Sequence, residues 1–362
     1  MNLRCLEVSR ILLSFLAILC CLAIACGSSD EPTPTPIVID SAPDQVVGFG
    51  ISSDFSNDST VFVITDPGGI FRSRDAGATL VRVNEGLTDG DVKQIAVSPV
   101  FSEDRTAFVT TARKGVFRST DSGDSWTPVN DGIERRSVAG IAISPDFGTD
   151  QTLFVGTRFR GIFRSTDAGE SWNQIGLPSS NVIAIGVSPQ FTNDRTIFAG
   201  TGRNGIFRSV DGGDTWEEIK RGLYANFVST IAFSPDYSRD QTVFIGTPED
   251  GIFRTTNGGN FWELIIEGLT SIRITGIVVS TTFRGDATVF LSTLSGTAFM
   301  SRDAGDNWEK IDQETRGYRS MAISPTFELD GTLFTGTGGA EFSRSSDGGQ
   351  TWDDLIVEPV GK

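Results

Sequence analysis

The sequence contains no histidine. That absence removes His-based catalytic triads, His general bases and His metal ligands together. Tyrosine occurs 3 times and cysteine 4 times in 362 residues. Basic residues are outnumbered, since 30 Lys and Arg face 46 Asp and Glu for a net charge of −16. A nucleic-acid binder needs a positive field, so this balance argues against nucleic acid as a partner. No zinc-binding or phosphate-loop spacing occurs, and neither a metal nor a cofactor is expected. What the chain has in quantity is glycine (41) and phenylalanine (26). With 38% hydrophobic and 21% charged residues, most of it can fold. One packed core stops growing near roughly 250–300 residues, so this length calls for two domains or a modular array.

The N-terminus reads as an address. Arg4 and Arg10 precede an apolar run from Ile11 to Ala25 that is too short to span a membrane comfortably. The run ends Leu22-Ala23-Ile24-Ala25-Cys26-Gly27, which resembles a bacterial lipobox with Ala23 where Leu is usual. The resemblance implies a lipoprotein signal peptide over 1–25, lipidation at Cys26, and a product exported and anchored by lipid to the bacterial envelope, outside the cytoplasm. The alternative is an ordinary signal peptide cleaved nearby. Cys5, Cys20 and Cys21 all lie inside the signal, so cleavage leaves Cys26 alone, with no disulfide and no Cys metal site. Residues 26–45, with a Pro-Thr-Pro-Thr-Pro stretch, read as a tether, and 46–362 as the folded domain.

Internal repeats decide the fold. Ile141-Ala142-Ile143-Ser144-Pro145 recurs from Ile95, Ile185, Ile231 and Met321, and more loosely from Phe49 and Ile277. Each copy is followed by an Asp, then Thr two residues on, then Phe two further, as in Asp150, Thr152 and Phe154. Next come Gly-Ile-Phe-Arg-Ser and an S-x-D-x-G-x-x-W box. The box acids are Asp75, Asp121, Asp167, Asp211, Asn257, Asp303 and Asp347, spaced by 46, 46, 44, 46, 46 and 44. All 6 tryptophans close a box (Trp126, Trp172, Trp216, Trp262, Trp308 and Trp352), and the first box has Leu80 instead. Each unit holds four short apolar runs separated by turn residues, in the third unit near 139–144, 152–157, 161–165 and 172–175. Four strands per ~45 residues make one propeller blade. The expectation is an all-β, seven-bladed β-propeller of four-stranded antiparallel blades with one box hairpin per blade. An open solenoid competes, but it would need atypical end units.

The S-x-D-x-G-x-x-W box is similar to the Asp-box, or bacterial neuraminidase repeat, and the resemblance covers residues 46–357. Such boxes occur in sialidases, xyloglucanase-type glycosidases, sortilin-type receptors and the photosystem II assembly and stability factor family. The resemblance is specific for the fold and poor for function. The box Asp suits a structural task, accepting hydrogen bonds from backbone N–H groups of its own turn. Arg72, Arg118, Arg164, Arg208 and Arg254 recur at one strand position, which suggests packing over neighbouring turns or pairing with blade acids. Met300 breaks the series. In the last unit Phe342 is displaced by one residue, which suggests a bulge.

In an up-and-down blade the first and third turns share one rim. Those turns are uniform from unit to unit. The second turns and the connections between blades share the opposite rim and vary, and varied loops on a rigid scaffold are where binding lives. On that rim the candidate binding residues are Arg113, Lys114, Arg135, Arg136, Arg158, Phe159, Arg160, Arg203, Arg221 and Tyr224. They form a basic, partly aromatic sector on an acidic protein, suited to an acidic peptide or polysaccharide, unless local acids such as Glu134 and Glu218 neutralise it.

Catalysis stays open, with the balance against it and no catalytic residue assigned. A sialidase-like enzyme would need Tyr224, Tyr237 or Tyr318 as nucleophile, and the Arg-Ile-Pro motif of that family is missing. A two-carboxylate glycosidase would draw on Asp66, Asp89, Asp91, Glu134, Glu249 or Asp250, and the sequence singles out no pair. The main expectation is a non-catalytic envelope lipoprotein that binds or scaffolds a protein or acidic ligand, similar to the photosystem II assembly factor family. The alternative is an exo-acting glycoside hydrolase of sialidase-like or xyloglucanase-like type.

Overall fold

The structure is a computed structural model and describes residues 45–134, 137–311 and 317–356. It contains seven four-stranded antiparallel sheets, each built from strands consecutive in sequence. We number these sheets blade 1 (45–82), blade 2 (92–128), blade 3 (138–176), blade 4 (182–218), blade 5 (230–264), blade 6 (274–310) and blade 7 (318–356). Blade 3 is representative, with strands Val138–Ile143, Leu153–Thr157, Gly161–Ser165 and Asn173–Gly176. Second strands such as Leu153–Thr157 are buried on both faces. That explains why they read as continuous apolar runs rather than alternating ones.

The blades form a closed ring. In each, the Phe of the second strand meets an aromatic of the next blade edge to face: Phe62 with Phe101 at 5.8 Å, Phe108 with Phe147 at 5.7 Å, Phe154 with Phe191 at 5.4 Å. The series continues through Tyr237, Phe283 and Phe327 and ends with Phe334 on Phe55 at 5.9 Å, joining blade 7 to blade 1. Such pairs contribute about 0.5–1.5 kcal/mol each beyond their buried area. Among the described residues no strand is exchanged to latch the ring. Blade 7 meets blade 1 through Val46 N–H on the Gly339 carbonyl (3.2 Å) and Arg344 on the Ala76 carbonyl (3.0 Å).

The recurrent arginines are inter-blade clamps. Nη1 of Arg72 donates to the Ser122 carbonyl (2.6 Å), Arg118 to Ala168 (3.0 Å), Arg164 to Gly212 (2.8 Å) and Arg254 to Ala304 (2.9 Å), with Arg208 on Gly258. Each partner sits inside the box of the following blade. Asp124, Glu170, Asp214 and Asp306 of the same boxes add ion pairs. Met300 leaves the blade 6–7 seam without this clamp.

Two sequence features resolve differently from expectation. The segment between first and second strands folds as a single helical turn, as in Phe147–Asp150, followed by a left-handed residue, Gln151. A four-residue helix carries no periodic signal by which it could be recognised. The bulge expected near Phe342 is also absent, because the second and third strands of blade 7 pair in unbroken register. Phe342 instead occupies the position that Ile162 holds in blade 3, and Ser343 takes the Phe163 position. Phe342 therefore faces blade 1, where it shares a core with the buried Leu80. The two departures thus meet at the closing seam, and a Phe from the last blade fills space where the first box lacks its Trp.

Candidate functional site: the variable rim and the channel mouth

The uniform rim is scaffold at atomic level. In blade 3, Ser165 Oγ donates to Asp167 (2.7 Å), and Asp167 accepts the Ser171 N–H (2.9 Å) and the Ser171 hydroxyl (2.6 Å). The Ala168 N–H then donates to the Gln151 carbonyl (3.0 Å), tying the box to the helical turn. The same tie recurs in every blade. Burial, the largest single effect on Asp167, raises its pKa, but the bonds from Ser171 and Ser165 outweigh it and hold the carboxyl below the ordinary range. Carboxylates this committed to their own turns are structural. In blade 5 the box has Asn257 with Phe261 where a hydroxyl or amide stands elsewhere, and Asn257 keeps the Thr255 hydroxyl bond (2.9 Å) and the Phe261 N–H bond (2.9 Å). Trp126, Trp172, Trp262 and Trp308 donate Nε1–H to the preceding blade, for example to the Val83 carbonyl at 2.8 Å. Trp216 and Trp352 turn to Gly213 and Gly349 of their own boxes.

On the opposite rim, the second turns and the connections lie together. Arg158 N–H donates to the Ser137 carbonyl (3.1 Å), and Gly202 N–H to that of Asn181 (2.9 Å). In blades 2 to 7 a threonine at the end of the second strand pins the tip, as where Thr157 accepts the Arg160 N–H (3.0 Å) and donates to the Gly161 carbonyl (3.0 Å). Divergent tips are thus held on repeated stems.

The basic sector is partly neutralised. Arg113 reaches the buried Asp89 (3.3 Å), and Arg160 reaches Glu134 (2.6 Å). Asp89 also accepts the backbone N–H groups of Arg113 (3.0 Å) and Asp91 (3.2 Å). Burial raises its pKa, and these bonds override burial and keep the carboxyl below the usual range. Asp89 is therefore a loop pin. Lys114, Arg158 and Arg203 are exposed, with no acidic partner among the described residues. Phe159 stands 61% exposed between Arg158 and Arg160. Arg221 and Tyr224 lie on the outer wall, where the Arg221 carbonyl accepts the Trp262 N–H (2.9 Å) and the Tyr224 ring meets Phe253 at 5.2 Å. Cys26, Arg135 and Arg136 fall outside the described residues.

Sequence reasoning missed the channel mouth. The first strands bulge near their starts at Val47, Lys93, Ala139, Ile183, Thr275 and Arg319. All six bulged residues line a central channel of about 350 Å³. Bulges re-aim side chains, and only strand pairing reveals them. Lys93 sits between Asp66 (3.0 Å) and Asp91. Burial pulls its pKa down, yet the bonds to Asp91 and Asp66 prevail and leave it above the ordinary lysine value. Of the tyrosines, Tyr318 is fully buried, and Tyr237 is buried with a pKa pushed up to about 12 by that burial. Neither reaches the channel. Among the described residues no cluster of metal-ligating side chains occurs.

A family profile described as Sortilin-Vps10 (Sortilin, neurotensin receptor 3) matches residues 160–293. No curated protein sequence matches the chain. Among solved structures, the GH74 xyloglucanase from Xanthomonas campestris superposes with a TM-score of 0.68 at 16% identity, over 90% of this chain and 56% of that one. An ancestral GH74 enzyme gives 0.68 at 18% identity, over 89% and 48%. The chain therefore spans about half the length of these hydrolases. YCF48 bound to D1 peptide gives 0.61 at 16% identity, over 84% of this chain and 97% of that one. The chain is a seven-bladed β-propeller with one box hairpin per blade, similar to the sortilin family over residues 160–293 and to YCF48 in fold.

Proposed function

We propose that this propeller is a non-catalytic binding module, lipid-anchored at Cys26 on the outer side of a bacterial membrane, that captures an acidic segment of a protein partner on its variable rim. One observation carries the reading. Three consecutive blades of an acidic protein present Lys114, Arg158 and Arg203 on threonine-pinned turns, exposed and without acidic partners among the described residues. Pinned turns lose little freedom when a ligand arrives, so their charges act without an ordering cost. That YCF48 is a propeller of similar extent seen with a peptide supports the mode of binding. The test is fluorescence anisotropy with a labelled Asp-rich peptide. The triple variant K114E/R158E/R203E is expected to lose at least about tenfold in affinity with its thermal unfolding unchanged. Equal affinity for variant and wild type overturns the reading.

A second reading, an exo-acting glycoside hydrolase, has its own observation. Lys93 brings Asp66 and Asp91 together at the channel mouth, and two carboxylates roughly 5–10 Å apart are what glycoside hydrolysis uses. Against it, the Lys93 ammonium occupies the gap where a glycosidic oxygen would sit. This reading expects xyloglucan or sialyl-conjugate hydrolysis that D66N and D91N both abolish. Absence of release by the wild type across both substrate classes removes it.

A further inference from the structure

We propose that the outer wall at the junction of blades 4 and 5 is a second docking surface, fitted to an extended segment of a partner polypeptide that carries aromatic or aliphatic side chains beside acidic ones. The repeat supplies internal controls. At the position of Phe261 the other boxes have Thr79, Ser125, Ser171, Thr215, Asn307 and Thr351, each donating to its box carboxylate. Phe261 gives up that bond and stands 47% exposed. Val210 is 58% exposed where the other units place Arg, Thr or Ser. Neither residue repays the fold for the rule it breaks, and such breaks mark functional positions.

Four of the eight large apolar residues that are exposed among the described residues gather at this seam: Val210, Tyr224, Phe227 and Phe261. Contacts of their neighbours relate the four positions. Arg208, two residues before Val210, reaches across to Asn260 (3.2 Å) beside Phe261. The Phe261 ring lies over Gly222, where a Cβ would come within 3.0 Å of it. Gly222 leads to Tyr224, whose ring packs edge-on against Phe253 at 5.2 Å. Phe227 is fixed beside the Arg203 turn by Gly205 N–H on the Asn226 carbonyl (2.7 Å) and Val228 N–H on that of Thr201 (3.0 Å). The result is a strip running from the box corner up the wall to the variable rim.

Charge selects the occupant. Glu217 and Glu218 on the strip are engaged by Arg208 (2.5 Å) and Lys220 (2.5 Å). Arg221 and Arg203 stay exposed, without acidic partners among the described residues. Along its upper part, from Arg221 and Tyr224 to Phe227 and Arg203, what the strip leaves unpaired is positive and aromatic, which suits an acidic segment with apolar anchors. A second copy, itself at a net charge of −16, meets repulsion on approach.

This inference rests on the reading of the propeller as a binder and shares only Arg203 with the rim triad, so the rim variant used below leaves Arg203 in place. The probes are two fluorescein-labelled peptides of about twelve residues, ~40 Å when extended. One alternates Asp with Phe and Leu, and the other alternates Asp with Ser. The wall variant is V210T/Y224S/N257D/F261T, which restores the carboxylate–hydroxyl pair of the fifth box and so keeps the fold. It is expected to lose at least about tenfold for the Asp/Phe/Leu peptide and nothing for the Asp/Ser peptide. The rim variant K114E/R158E is expected to weaken both peptides alike. Three results overturn the proposal: a wall variant that binds the Asp/Phe/Leu peptide like the wild type, a wild type that does not prefer it over Asp/Ser, or a wild-type dimer in sedimentation that the wall variant dissolves. Loss in the rim variant alone leaves the proposed function standing and removes this surface. Loss in the wall variant alone does the reverse.

Discussion

The seams between blades 5 and 6 and between blades 6 and 7 join copies of the same unit, yet they are tied differently. At the first, Arg254 bonds the Ala304 carbonyl (2.9 Å) and pairs with Asp306 (2.8 Å), while Trp308 donates to Ile265 through Nε1 (2.9 Å) and to Glu267 through its N–H (2.9 Å). At the second, Met300 stands in place of the arginine and Trp352 bonds within its own box. The aromatic contact survives there, Phe290 on Phe327 at 5.7 Å. In a ring each blade is held from both sides, so one seam can lose its arginine clamp while its neighbours keep the blade in place. Apolar contact is the shared minimum, and the clamps are additions to it.

The comparison can be broken most forcefully at the tryptophans. Trp308→Ala is expected to cost about 3–5 kcal/mol, as for a large buried aromatic. Trp352→Ala, at a half-buried residue, is expected to cost clearly less, and denaturant unfolding of the two variants side by side measures the difference. Arg254→Met copies the weak seam into the strong one. It is expected to cost about 1–2 kcal/mol, since it strips a charged donor from a partly buried carbonyl.

Acid should act on six boxes and spare the fifth. Burial raises the pKa of Asp347, but the bonds from Thr351, Ser345 and Gln350 bring it down to about 2. A carboxyl depressed in the folded state contributes stability above its unfolded value, near 3.8, and that contribution is lost as pH falls towards the folded value. Melting temperature is therefore expected to drop between about pH 4 and pH 2, and more steeply in N257D/F261T, which gains a seventh such group. The smallest expected effect is a gain. Met300→Arg adds a clamp facing the Gly348 carbonyl, for about 0.5–1 kcal/mol and slower amide exchange in blade 7.

Sequence alone carried the seven units, their strands and the division into a uniform and a varied rim, because each rests on repetition that one chain displays seven times. The clamps were half legible. Recurrence of Arg72 and its equivalents pointed to neighbouring turns or blade acids, and the structure joins both. The channel-mouth bulges were not legible, since an extra residue in a strand shows only when its partner is aligned beside it. Nor was the neutralising of Arg113 by Asp89, which lies 24 residues away and depends on how a connection folds back. Phe261 was passed over in the sequence, where the other boxes have Ser, Thr or Asn. Its meaning needed the exposure of its ring.

Because each blade is a complete four-stranded sheet and none is braided from both termini, the break in the ring is movable. Rejoining residues near 45 and 356 and opening the chain at the short 177–181 link would yield a protein that begins with blade 4 and ends with blade 3, its seams unchanged. A gene built from such interchangeable units can rewrite one corner at a time. A propeller of this kind can acquire a new recognition surface without renegotiating how it folds.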